Sequence, residues 1–144
     1  MFTKTFTLIK TYFLSALQRT FKTFISLMKI IIPVYTVVYI LSLTPLLKMF
    51  GDFLAPAMKY FNLPGESALA IILGNFINLY AAIGVIPQLH LDPKQITTIS
   101  LMLLTSHSQI LETSILAKLK TKYLLVLIIR IVVAIIVGYL FARI

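Results

Sequence analysis

The apolar positions fall into four blocks. Ile30 to Leu47 runs for 18 residues without a charge, between Lys29 and Lys48, with Pro33 in its expected first turn, where a missing amide proton costs little. Ser67 to Leu89 is apolar but carries Gly74, Asn75, Asn78 and Gly84 in its middle and Pro87 near its end. Ile96 to Ala117 contains the polar run Ser106, His107, Ser108, Gln109, with Glu112 just beyond. Tyr123 to Ile144 carries Arg130 about a third of the way in. Each block approaches the roughly 20 residues that cross a bilayer as a helix. Ahead of them, Phe2, Phe6, Ile9, Phe13, Leu17, Phe21, Phe24 and Leu27 recur at three- and four-residue steps. That spacing makes one helical stripe, with Lys4, Lys10, Arg19 and Lys22 off it. It predicts a basic amphipathic helix over 1–28, lying on a membrane surface. Thr11, Gln18, Arg19, Thr20 and Lys22 interrupt its apolar character, which argues against a signal peptide. A second interfacial helix is expected over 49–64, closed by the Leu63-Pro64-Gly65 turn.

Composition fixes the solvent. The chain has 144 residues, 60% hydrophobic and 12% charged, with a mean hydropathy of +1.01. Soluble domains hold about 45–50% apolar and about 25% charged residues. A small domain has too much surface to hide this excess in a core. The sequence therefore predicts an integral membrane protein, multi-pass, in the cytoplasmic (inner) cell membrane. There is no cysteine, which excludes disulfides and thiolate metal sites. Two histidines are too few for a metal cluster by themselves. The net charge of +9 fits basic loops facing anionic lipid. No pattern supports nucleic-acid binding. No nucleophile, zinc or phosphate-loop motif is present, so neither enzymatic activity nor a cofactor is expected.

Charge also orders the topology. If all four blocks spanned, the basic N-terminal segment and the 118–122 loop would lie on opposite sides. If one middle block is re-entrant, both lie in the cytoplasm. Eight basic residues (Lys4, Lys10, Arg19, Lys22, Lys29, Lys118, Lys120, Lys122) then face four (Lys48, Lys59, Lys94, Arg143). The Gly-Asn break favours 67–89 as the re-entrant hairpin over 96–117, because non-helical backbone at membrane depth must be covered by protein or line a cavity. The expected fold is all-α and polytopic: three transmembrane helices (30–47, a broken 96–117, 123–144), one re-entrant hairpin and two amphipathic interfacial helices.

Glu112 and Arg130 flank the 118–122 loop at similar depth on antiparallel neighbours. A lone charge at that depth is costly and a pair much less so, so the two are expected to interact. The run Ser106–Gln109 has three explanations. It is a loop, a set of helix-packing polar contacts, or the lining of a solute site in a discontinuous helix. Asn75 and Asn78 either cap broken helix ends or join that site, since an amide both donates and accepts.

The segments "KIIIPVYTVVYIL", "LPGESALAIILGNFINLYAAIGVIPQL" and "ISLMLLTSHSQILETSIL" together resemble the nucleoside recognition (Gate) domain. That domain occurs in concentrative nucleoside transporters, in the membrane gates of ferrous iron transporters and in small stand-alone proteins such as spore maturation membrane proteins. The resemblance covers roughly 28–144. It implies a span, an interfacial helix, a hairpin, a broken helix and a further helix. The Gly-Gln-Thr-Glu motif of the transporters' hairpin tip is matched here by Gly74-Asn75-Phe76-Ile77, which keeps the glycine and an amide but not the acid. The iron gates use a cysteine, which this chain lacks. The resemblance implies a half-size transporter or solute-binding gate. Asn75, Asn78, Ser106, His107, Ser108 and Gln109 would meet a nucleoside-like or other small polar solute, and Glu112 and Arg130 would stabilise or couple to Na+ or H+. A single unit implies a partner, either a second copy or a separate Gate half. The charge bias favours a parallel homo-oligomer or a heteromer over an inverted homodimer. The competing expectation is a non-transporting scaffold whose polar residues only hold helices together.

Overall fold

The computed structural model describes the backbone from Phe2 to Ile144 and the side chains from Thr11 onward. The side chains of the stripe's first members, Phe2, Phe6 and Ile9, and of Lys4 and Lys10, lie outside the described residues. Helix α1 runs unbroken from Phe2 to Ser42, 41 residues and about 60 Å at 1.5 Å per residue. The two elements expected over 1–28 and 30–47 are thus one helix. Pro33 lies inside it rather than at its start. A proline removes a single amide donor, and no glycine or helix-capping pair accompanies it in this stretch. The stop comes instead at Leu43-Thr44. Thr44 caps the next helix by accepting from the Leu46 amide at 3.4 Å, and Pro45 takes the first helical position, where its missing N–H is harmless. Helix α2 therefore spans Pro45–Met58, earlier than the expected 49–64, and a 3-10 turn follows over Lys59–Phe61. Asn62, with φ of 54°, ends that turn in the left-handed region that asparagine tolerates.

The chain then folds back twice. Helices α3 (Ser67–Phe76) and α4 (Leu79–Val85) form a hairpin broken at Ile77 and Asn78, and α4 runs on into a 3-10 turn over Ile86–Gln88. Glu66 and Gln88, at the hairpin's two ends, line one cavity with Ser42, Thr44 and Lys48. Both ends of the hairpin thus sit beside the α1–α2 turn. Helix α5 (Pro93–Ser106) opens on a capping box, in which Asp92 accepts from the Gln95 amide at 2.8 Å and the Gln95 side chain accepts from the Asp92 amide at 3.1 Å. After a break at His107-Ser108 the chain continues as α6 (Gln109–Lys118). Helix α7 (Tyr123–Arg143) returns antiparallel to α5.

Among the described residues all regular structure is helical. The segment Thr11–Ser42 and α7 are each long and apolar enough to cross a membrane. Only 6% and 11% of their apolar windows are buried, so neither is the core helix of a soluble protein. The buried core is small and sits where the hairpin meets its neighbours, around Val38, Ala70, Ala82, Val85, Ile99 and Leu103. Small residues make the close approaches. Gly84 meets the Ile31 carbonyl and Val34 of α1, and Gly138 of α7 meets Met102 of α5.

The tightest approach is between Gly65 and α2. A Cβ on Gly65 would stand 1.9 Å from the Gly51 carbonyl oxygen and 3.0 Å from the Ala55 amide nitrogen. Backbone cannot rotate away as a side chain can. Gly65→Ala should therefore lower unfolding stability in detergent by about 1–3 kcal/mol. Gly138→Ala should cost less, because the atoms it meets belong to the flexible Met102 side chain. Equal losses in the two variants would contradict this ranking.

Candidate functional site

The two helix breaks lie against each other. At the first, Asn78 is extended (φ −171°, ψ 168°) and its Oδ1 accepts from the Ala81 amide at 3.0 Å, capping α4. At the second, His107 is extended and Ser108 is left-handed, with φ of 55°. This turn frees the Ser108 amide, which donates to the Gly74 carbonyl at 2.9 Å. That bond fastens the α5–α6 break to the end of α3. Gly74 suits this close approach, since a Cβ there would stand 2.6 Å from Cδ2 of the buried Leu103.

Arg130 serves the same break from α7. Its Nε donates to the Thr105 carbonyl at 3.0 Å and its Nη2 to the His107 carbonyl at 3.1 Å. Its Nη1 donates to Glu112 Oε2, forming an ion pair. His107 Nδ1 lies 3.9 Å from Glu112 Oε1 and 3.2 Å from Ser108 Oγ. The carbonyls freed at the C-terminus of α5 thus meet a cation, and Glu112 lies in the first turn of α6. Both placements suit the helix dipoles.

Beside the breaks, between α3, α5, α6 and α7, lies a cavity of about 560 Å³. Its walls are mainly Ile71, Ile72, Phe76, Met102, Leu127, Ile131 and Ile135. Its polar groups are Asn75, Ser106, Gln109, Thr113 and Ser114. The Ser106 hydroxyl donates to the Met102 carbonyl at 2.8 Å. Asn75 Nδ2 donates to the Ile71 carbonyl at 2.8 Å, while its Oδ1 is buried and has no partner. Gln109 is 6% exposed, and neither Nε2 nor Oε1 has a partner. Buried polar groups are nearly always paired, and leaving one unpaired costs about 1–3 kcal/mol.

Of the sequence-derived candidates, Asn75, Ser106 and Gln109 come together in this cavity. Asn78 does not line it, and its side-chain oxygen is used as a cap. His107 and Ser108 form the turn beside it, and Glu112 and Arg130 hold that turn. Thr113 and Ser114 are the lining residues that sequence reasoning missed. Their signal was the helical spacing from Gln109 and Ile110. Among the described residues no group of three or more potential metal ligands occurs.

These features define a helical membrane protein built on a hairpin and a facing broken helix, with a cavity at their junction. A family model for nucleoside recognition (Gate) matches residues 24–122, and the chain belongs to that family. It is 36% identical over 123 residues to the "Uncharacterized membrane protein YvoD" of Bacillus subtilis (strain 168), covering 85% of this chain and 39% of that protein. The chain thus spans about two-fifths of that relative's length. No solved structure matches it with significance.

The free amides make a stability prediction. Gln109→Leu removes an unpaired buried amide and keeps its volume, so stability should hold or rise by up to about 1–3 kcal/mol. Asn78→Ala removes a cap and should lower it by about 1 kcal/mol. Thermal unfolding of the two purified variants checks the difference in sign.

Proposed function

We propose that the protein is a half-size secondary transporter or solute-binding gate of the cell membrane. It takes a nucleoside-like or other small polar solute between the hairpin and the broken helix. The observation that carries this reading is the unpartnered Gln109 amide, buried with the open end of Asn75 in one cavity beside two helix breaks. An amide presents a donor and an acceptor together, which suits a base edge or hydroxyls. The apolar walls would cover the rest of a ring. The chemistry is binding, with no catalytic role for these side chains.

The proposed topology has three crossings, α1, α5–α6 and α7, with α3–α4 entering and leaving on one side. Two placements support it. The hairpin's ends share a cavity with the α1–α2 turn. Gln95, in the first turn of α5, donates to the Asn62 carbonyl at 3.2 Å, so α5 starts near that same side. The basic loop 118–122 then falls at the opposite face, with Arg19 and Lys22 of α1, as cytoplasmic segments should. Amphipathic α2 lies at the interface. The working unit is an oligomer with a second copy or a separate Gate half. Phe76, Ile110 and Ile135 at the cavity wall are 61%, 56% and 47% exposed, which leaves that side open in a single chain.

Two measurements test this. In proteoliposomes tested with a panel of nucleosides and other small polar solutes, Gln109→Leu and Asn75→Ala should cut uptake at least about tenfold, a loss of about 1.4 kcal/mol, while folding is retained. Under the scaffold alternative they would alter assembly alone, and no solute would be taken up by the parent protein. Single cysteines, Gln95→Cys and Thr121→Cys, should react with an impermeant thiol reagent from outside and inside respectively. Labelling of both from one side would overturn the re-entrant hairpin.

A further inference from the structure

A helix broken inside a membrane leaves carbonyl oxygens that no water can satisfy. In secondary transporters, unwound backbone and the C-terminal ends of half-helices commonly hold a sodium ion with such oxygens. The break at His107-Ser108 offers that set: the Thr105 and His107 carbonyls at the end of α5, and the Glu112 carboxylate facing them. Here all three are bound by one side chain. Arg130 donates its Nε at 3.0 Å, its Nη2 at 3.1 Å and its Nη1 to Glu112 Oε2. Its side chain is 19% exposed and comes from α7, a helix outside the break.

We propose that the Arg130 guanidinium is a tethered cation that fills, at the α5–α6 break, the position a sodium ion would otherwise take. Its planar fork reaches two carbonyls and a carboxylate at once, which a point charge on a lysine stem does not do. It needs no ligand exchange, so the break is locked by a covalently attached charge. A metal cation entering there would have to displace a paired guanidinium into an apolar wall, and two cations at one carboxylate would repel. As a statement about coupling, this rests on the transport reading and removes sodium from this break as the coupling ion. As a statement about occupancy, it holds whether or not any solute moves.

The test uses the purified full chain in detergent, melted in sodium chloride and in potassium chloride at equal ionic strength. The parent protein should show the same Tm in both. Hydrogen exchange of the amides at 107–112 should not change between the salts. Arg130→Gln vacates the oxygens and leaves Glu112 charged. It should melt lower in potassium and recover in sodium by about 3–5 °C, the shift expected of about 1 kcal/mol of ion binding. Folding of this variant in sodium alone would count as the same result. Arg130→Lys, which keeps one charge without the fork, should melt lower than the parent and stay indifferent to sodium. The proposal is overturned if the parent protein or Arg130→Lys is stabilised selectively by sodium. It is also overturned if Arg130→Gln folds and gains nothing from sodium. Should Arg130→Gln not fold in either salt, the parent and Arg130→Lys results decide. A failed uptake assay would leave this outcome untouched.

Discussion

The two facing helix breaks, at Ile77-Asn78 and His107-Ser108, satisfy their backbone groups within the protein, and that constraint organises the rest. A free N–H or C=O in hydrocarbon costs several kcal/mol. The hairpin break and the α5–α6 break therefore stand together. The Ser108 amide donates to the Gly74 carbonyl. Asn78 covers the Ala81 amide. Arg130 covers the Thr105 and His107 carbonyls. Remove any one and a backbone group loses its partner. Gly74 follows from the same constraint, because its carbonyl reaches Ser108 only if α3 lies close against Leu103.

That thoroughness gives weight to the groups that are not satisfied. Asn78 shows what an amide does here when its role is structural: its side-chain oxygen has a backbone donor. Gln109, at the facing break, is more deeply buried than Asn78 and has no partner at either end. Helix packing alone would select leucine at that position, since it fills the same volume at no desolvation cost. Under the proposed function, a solute that supplies an acceptor and a donor accounts for glutamine there. Asn75 offers a second acceptor in the same cavity while its amino end stays tied to α3.

Much of the helical frame was legible because lipid imposes simple rules on sequence. Long uncharged runs mark helices, and a Gly-Asn pair in the middle of one marks a break. Depth along antiparallel neighbours relates Glu112 to Arg130 before any contact is known. Two things were hidden. Pro33 reads as a helix start, yet the helix runs through it, and the true boundary lies in Thr44-Pro45, an ordinary cap pair inside what looks like one apolar block. The geometry of the break within 96–117 was hidden for a different reason. Ser106 and Gln109, three residues apart, share a helical face by periodicity alone, and both line the cavity. What periodicity does not encode is the left-handed Ser108, which turns its amide to the Gly74 carbonyl and leaves the Thr105 and His107 carbonyls to Arg130.

The same break separates two roles that are adjacent in sequence. On one side of the turn the groups are charged and mutually saturated: Arg130, Glu112 and the α5 carbonyls. On the other side they are neutral, and the Gln109 amide and the Asn75 oxygen are open. A charge lining the cavity would demand a counter-charge from any occupant. The arrangement instead keeps the full charges paired at the turn and presents neutral polarity to the cavity. Under the proposed function, specificity on that face rests on matching donors and acceptors over an apolar space, and the charged side acts by holding the turn that carries them.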